Sequence, residues 1–230
     1  MRWIVTAVIA LVAGFAGAAL WDLSGLGGRA TRDYLMANPE VLPEAIDVLQ
    51  QRQAQARIEP MRRELEAPFP GAVLGNPNGK VTLVEFTDYA CTYCRQSVAD
   101  VAALIAANPD LRVVVREYPI LIPESADAAR MALAAAQQGR YLAFHDAMFR
   151  LGPPTAQSIA AAAKAAGVDL AKAQAAIATG IFDVQLRGNA QLASGLGISG
   201  TPGWVVGNQL LNGAVGREAL EKAIAEATPS

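Results

Sequence analysis

The chain has 230 residues, 53% hydrophobic and 17% charged, which provides a substantial core for one domain plus extensions. Its formal net charge of −2 leaves no basic footprint for nucleic acid. Two cysteines and one histidine fall short of the roughly four ligands that a closed structural zinc site needs.

Met1 and Arg2 form a short positive start, and residues 3–21 then run for nineteen positions without a charge. Ala16-Gly17-Ala18 within that run is a small-residue cleavage pattern. Residues 1–21 therefore read as a signal peptide cut near Ala18 or as a single membrane anchor. The Ala, Gly and Thr content favours cleavage. Both readings export the rest of the chain to a compartment that permits disulfides. Residues 23–28 read as a flexible spacer. In residues 29–66, 13 of 38 positions are charged, double the chain average, which places a domain boundary near residue 67. Leu35, Leu42, Ile46, Leu49, Gln53 and Ala56 follow a 3/4 spacing, with Asn38-Pro39 expected to open a helix and Pro60 to end one. That stripe serves equally for docking on its own domain or for oligomerisation.

Residues 72–74 predict a short strand, Asn76-Pro77-Asn78-Gly79 a turn, and residues 81–86 a strand. Directly after it stands Cys91-Thr92-Tyr93-Cys94, followed by a helix over residues 95–107. A Cys-x-x-Cys pair at a strand-to-helix junction points to redox chemistry. Unpaired N–H groups and the helix dipole concentrate positive potential there, which favours the nucleophilic thiolate. Cys91, at the helix start, is expected to be exposed and to attack first. Cys94, one turn in, is expected to be buried and to resolve the mixed disulfide. Haem attachment wants a histidine after the second cysteine, and Arg95 stands there. A structural disulfide across so tight a loop would constrain the unfolded chain little.

Residues 111–118 predict a second strand, so strand–helix–strand forms a parallel crossover. Residues 124–196 read as four or five helices broken at Gly139, Gly152-Pro153-Pro154, Gly167 and Gly180. A Thr201-Pro202 loop, a hairpin turning at Gly207-Asn208 and a terminal helix opening at Gly216-Arg217 complete the chain. His145 reads as a helix-surface or packing residue.

Residues 84–94 and 197–203 together resemble the DsbA-like thiol:disulfide oxidoreductases of the bacterial periplasm, and the likeness extends over residues 72–228. Residues 34–42 look like the oligomerising arm of the branch that contains the suppressor-of-copper-sensitivity C proteins. The resemblance implies an α/β thioredoxin fold with a helical insertion over residues 67–230, preceded by a helical arm over 29–66. It implies a cis Thr201-Pro202 bond facing the cysteines, with Thr201 main-chain groups free to pair with an extended client segment. Glu85 matches the family's buried acid, able to take or relay the proton of Cys94; the alternative is a solvent-facing strand residue. Asp88 and Tyr89 are expected at the rim, without chemistry of their own. Thr92, Tyr93, Thr201 and Pro202 are the substrate-binding candidates, and Cys91, Cys94 and Glu85 the catalytic ones. No metal and no cofactor beyond the Cys91–Cys94 disulfide is implied. The partners implied are cysteine-containing exported proteins and a membrane or periplasmic redox partner.

Two departures bear on direction. Strongly oxidising members carry Pro-His between the cysteines, where this chain has Thr92-Tyr93. Thr201 before the proline matches isomerase-type members rather than the oxidases' Val. The expectation is an isomerase or reductase, on a scale where known dithiols span about 150 mV, roughly 7 kcal/mol. The competing class is a periplasmic protein that binds copper or clients through the same two thiols. A glutathione-using enzyme of the same fold is disfavoured by the intact cysteine pair.

Overall fold

The computed structural model describes residues 2–23 and 26–228. It divides into two compact units, residues 1–50 and 51–230. The first holds helix α1 (Arg2–Leu23), α2 (Leu26–Ala37) and the start of α3 (Val41–Ile58). Helix α1 is long and apolar enough over 20 residues to cross a membrane. Of the spacer expected at residues 23–28, residues 24 and 25 lie outside those described, and Leu26 already opens α2. Asn38 closes α2 rather than opening α3: its backbone N–H and its side-chain amide both donate to the Tyr34 carbonyl. The stripe residues Leu42, Ile46 and Leu49 are exposed.

The second unit begins earlier than composition indicates, at residue 51 rather than near 67. Ile58 and Leu65 are completely buried in a core with Val84, Phe86 and Val114. Each such side chain contributes about 2 kcal/mol through burial. After α3, Pro60 sits in a 3-10 turn (Glu59–Met61), and α4 (Arg62–Glu66) follows. The charges in this stretch are fastenings. Arg57 donates to the Leu196 carbonyl at 3.2 Å, and Arg62 donates to the Gly207 carbonyl at 2.9 Å and to Asn208 Oδ1 at 2.6 Å.

Strands β1 (Val73–Gly75), β2 (Val81–Thr87), β3 (Leu111–Glu117), β4 (Gly203–Val206) and β5 (Gln209–Asn212) form one sheet in the order β1-β3-β2-β4-β5. Only β2 and β3 are parallel, joined through α5 (Thr92–Ala107). The other neighbouring pairs are antiparallel. Both faces of β2 and β3 are covered, which explains their nearly unbroken apolar runs. Between β3 and β4 come five helices: α6 (Pro123–Gln137), α7 (Tyr141–Leu151), α8 (Ala156–Ala165), α9 (Leu170–Ala178) and α10 (Ile181–Leu196). Pro123 at the first turn of α6 and a Thr155/Ser158 capping box on α8 set their starts. Helix α11 (Arg217–Ala227) ends the unit. One face of the sheet packs residues of α5 to α9, the start of α10 and α11, and the other packs the end of α3, α4 and the C-terminal half of α10.

Candidate active site

Cys91 caps α5. Its backbone is extended, and its Sγ accepts the Cys94 N–H at 3.2 Å. Both cysteines are unbonded thiols. Cys91 is 4% exposed and Cys94 is not exposed at all, so the expected order of access holds while the expected exposure of Cys91 does not. The cover is the Thr201 loop: Cys91 Sγ donates to the Thr201 carbonyl oxygen at 3.2 Å across 110 residues. The Thr201-Pro202 bond is cis, as in the family that its motif resembles. Gly203 lets this loop close, because a Cβ there would meet Ile198 Cγ2 at 2.7 Å. A groove of about 330 Å³ runs beside Thr201, lined by residues 197, 199–201, 212 and 213. Thr92 and Tyr93 form the first turn of α5; both are exposed, and Tyr93 presents its ring to solvent.

Glu85 lies on the buried face of β2 that also carries Leu83 and Thr87, opposite to Val84 and Phe86. It is 3% exposed, which removes the solvent-facing alternative. Burial pushes its carboxyl up to about 8. It lines a mostly apolar cavity of about 270 Å³ between β1, α5 and α7. The Cys94 thiol is also raised, first by burial, and the field of Glu85 adds to the effect.

Asp88 and Tyr89 are not at the rim. Both are buried beneath the redox loop. Asp88 is a staple: Oδ1 accepts the Ala90 N–H at 2.8 Å, and Oδ2 accepts those of Ile120 and Leu121 at 2.8 and 2.9 Å. Tyr89 belongs to a cluster that sequence reasoning missed. Its hydroxyl donates to Glu117 Oε1 at 3.0 Å, and Tyr141 donates to the same oxygen at 2.8 Å. With the Tyr89 proton committed there, the 3.2 Å contact to His145 Nδ1 requires His145 to donate. His145 is thus a buried packing residue, and burial holds its imidazole down to about 4. Glu117 is 1% exposed, and burial raises it to about 8. The available signal was two aromatics and a histidine near two acids, spread over 61 positions from Glu85 to His145.

A mixed five-stranded sheet with a Cys-x-x-Cys pair capping a helix and a cis-proline opposite defines a thioredoxin-fold protein with a dithiol site. Comparison with known proteins gives the family. The DSBA-like thioredoxin domain matches residues 82–225, and the Copper resistance protein ScsC N-terminal domain matches residues 28–56. A thioredoxin-like oxidoreductase from Silicibacter pomeroyi DSS-3 is 41% identical, covering 67% of this chain and 90% of its own, with a TM-score of 0.65. Proteus mirabilis ScsC in a transitional conformation is 30% identical over 86% of this chain and 91% of its own, with a TM-score of 0.69. Among curated proteins, Na(+)/H(+) antiporter NhaA 1 of Salinispora arenicola is 28% identical over 158 residues. The chain spans about a quarter of that relative's length, 24%. The chain belongs to the DSBA-like thioredoxin domain family, with an ScsC-type N-terminal region.

Proposed function

We propose that the chain is an exported thiol:disulfide oxidoreductase that exchanges disulfides with cysteine-containing exported proteins and leans towards isomerisation or reduction. The observation that carries the reading is Cys91, which caps α5 while its sulfur meets the Thr201 carbonyl at 3.2 Å. Cys91 attacks the client disulfide, Cys94 resolves the mixed disulfide, and Glu85 takes the Cys94 proton. The electrons are carried by the Cys91–Cys94 pair with no bound cofactor. The groove beside Thr201 and the exposed Tyr93, Ile120, Leu121 and Ile122 offer an extended, apolar client backbone pairing and contact. Helix α1 directs export to the periplasm as a signal or an inner-membrane tether, and a membrane or periplasmic dithiol resets the site. The exposed stripe Leu42, Ile46 and Leu49, within the ScsC-type region, supports homo-oligomerisation through the arm.

Reactivation of scrambled ribonuclease by residues 29–230 tests this, with Cys91→Ser as control. Recovery that Cys91→Ser abolishes supports the reading; activity unchanged by Cys91→Ser sinks it. A chain starting at residue 51 keeps its core and is expected to be a monomer without isomerase activity. A full-length monomer in light scattering contradicts the role of the arm.

A second reading rests on the two thiols themselves, because the match to a copper-resistance N-terminal domain covers residues 28–56 and holds neither cysteine. Two soft thiols three residues apart suit Cu(I). Tight Cu(I) binding by the reduced protein, with no disulfide exchange, would favour it.

A further inference from the structure

Glu117 and Glu85 occupy one face of the sheet. In the parallel register Glu85 stands opposite Val115 and Thr87 opposite Glu117, so the two acids are two rungs apart. The Thr87 hydroxyl neighbours the Cys94 sulfur, and Tyr89, which holds Glu117, precedes Cys91 by two residues. Among the described residues, both hydroxyl donors fall on Glu117 Oε1, and Oε2 has no hydrogen-bond partner. The groups that act on Glu117 are Glu85, Asp88, Tyr89 and Tyr141, with His145 one bond further through Tyr89. None of them is a cation. Two carboxyls in one apolar layer, with only acids and neutral donors around them, cannot both ionise independently.

We propose that Glu117 is a positioning residue for the exchange reaction: held by Tyr89 and Tyr141, it shares the buried proton load with Glu85 and so sets how readily Glu85 accepts the proton of Cys94. This rests on the role given to Glu85 above. In the step concerned, Cys94 S–H gives its proton to the Glu85 carboxylate. The sulfur's electron pair forms the bond to Cys91 Sγ, the Cys91–client disulfide breaks, and the client sulfur leaves with both electrons as a thiolate. When Glu117 is ionised, Glu85 holds its proton more tightly. When Glu117 is neutral, Glu85 is freed to act as the base at lower pH.

The test follows the Glu85 carboxyl by NMR titration in the full chain, beside the pH profile of client-thiol release from a mixed disulfide at Cys91. In the unsubstituted protein Glu85 is expected to titrate in two steps. In Glu117→Gln the curve collapses to one step, with a midpoint lower by about half a pH unit for a coupling of about one unit. The corresponding limb of the rate profile moves with it. Tyr141→Phe removes one donor, keeps Glu117 protonated to higher pH, and moves Glu85 the same way by less; this variant carries the test if Glu117→Gln does not fold. Curves that coincide in all three proteins, while Glu85→Gln still erases the rate limb, overturn the inference and leave Glu85 as the base. A limb that survives Glu85→Gln removes both.

Discussion

Arg116 and Glu117 are neighbours on β3, 3% and 1% exposed, and they enter opposite sides of the same sheet. Arg116 points to the α4 side and is surrounded by acceptors. It donates to the carbonyls of Glu64, Leu65 and Ala67 and to Asn189 Oδ1, closing the C-terminal end of α4. Burial lowers its guanidinium only to about 10, so it remains charged at every ordinary pH. Glu117, on the redox side, has two donors on one oxygen and none on the other, and burial alone raises the carboxyl of Glu85 beside it. One face buries a charge that is held by several acceptors and stays ionised at ordinary pH. The other buries acids whose protonation is free to change near neutral pH. Satisfaction of the buried group, more than burial, separates a structural charge from a chemical one.

The largest effect that sharpens this contrast is at Arg116. Arg116→Met leaves several buried carbonyls without donors and should cost about 3–5 kcal/mol of stability. Chemical denaturation reads the loss. Because Arg116 faces away from the cysteines, the fraction that remains folded should exchange disulfides at the unsubstituted rate. A folded variant with slowed exchange would break the distinction between the two faces.

Next come the two acids. Their ordinary value is 4.5 and the folded value about 8, so the folded protein holds protons that the unfolded chain releases. The stability this provides is fully present below pH 4.5 and is lost as pH rises through 8. Between pH 6.5 and 8 the unfolding free energy should fall by about 2 kcal/mol per carboxyl, taking 1.36 kcal/mol per pH unit. Glu85→Gln and Glu117→Gln should each flatten part of that decline. A decline equally steep in the double variant would mean that neither acid is held neutral in the fold.

The contrast was only half visible in the sequence. The Cys-x-x-Cys junction, the two strands around it, the glycine breaks of the helical block and the hairpin at Gly207-Asn208 all depend on local chemistry, and each stands in the structure where that chemistry predicts it. Arg116 and Glu117 were legible only as part of the strand over residues 111–118, because nothing local says that α4 supplies carbonyls to one and α7 a tyrosine to the other. The boundary near residue 67 failed for the same reason. Arg57, Arg62 and the backbone of Glu64 bond to partners 50 or more residues away, so a charged composition disguised part of the core as the end of the helical arm. Cys91 was expected to be exposed because its cover, Thr201, lies 110 residues downstream.

The smallest effect concerns His145, the only basic group attached to the acid cluster among the described residues. Burial holds it neutral down to about 4 against an ordinary 6.5. The unfolded chain therefore takes up a proton between those values that the folded protein refuses. The stability linked to His145 is present above pH 6.5 and lost as pH falls through 4, opposite in sign to the acids. His145→Phe keeps a ring among Tyr89, Tyr141 and Phe149 but removes the donor to Tyr89, at a cost of about 1 kcal/mol at neutral pH. That cost should shrink and then reverse as pH falls from 6.5 towards 4, where the unsubstituted protein carries a penalty that the phenylalanine does not. A cost that stays constant across this window would mean that the imidazole is already charged in the fold. His145 would then be a counter-ion to Glu117, and the redox face would be as fully partnered as the face that holds Arg116.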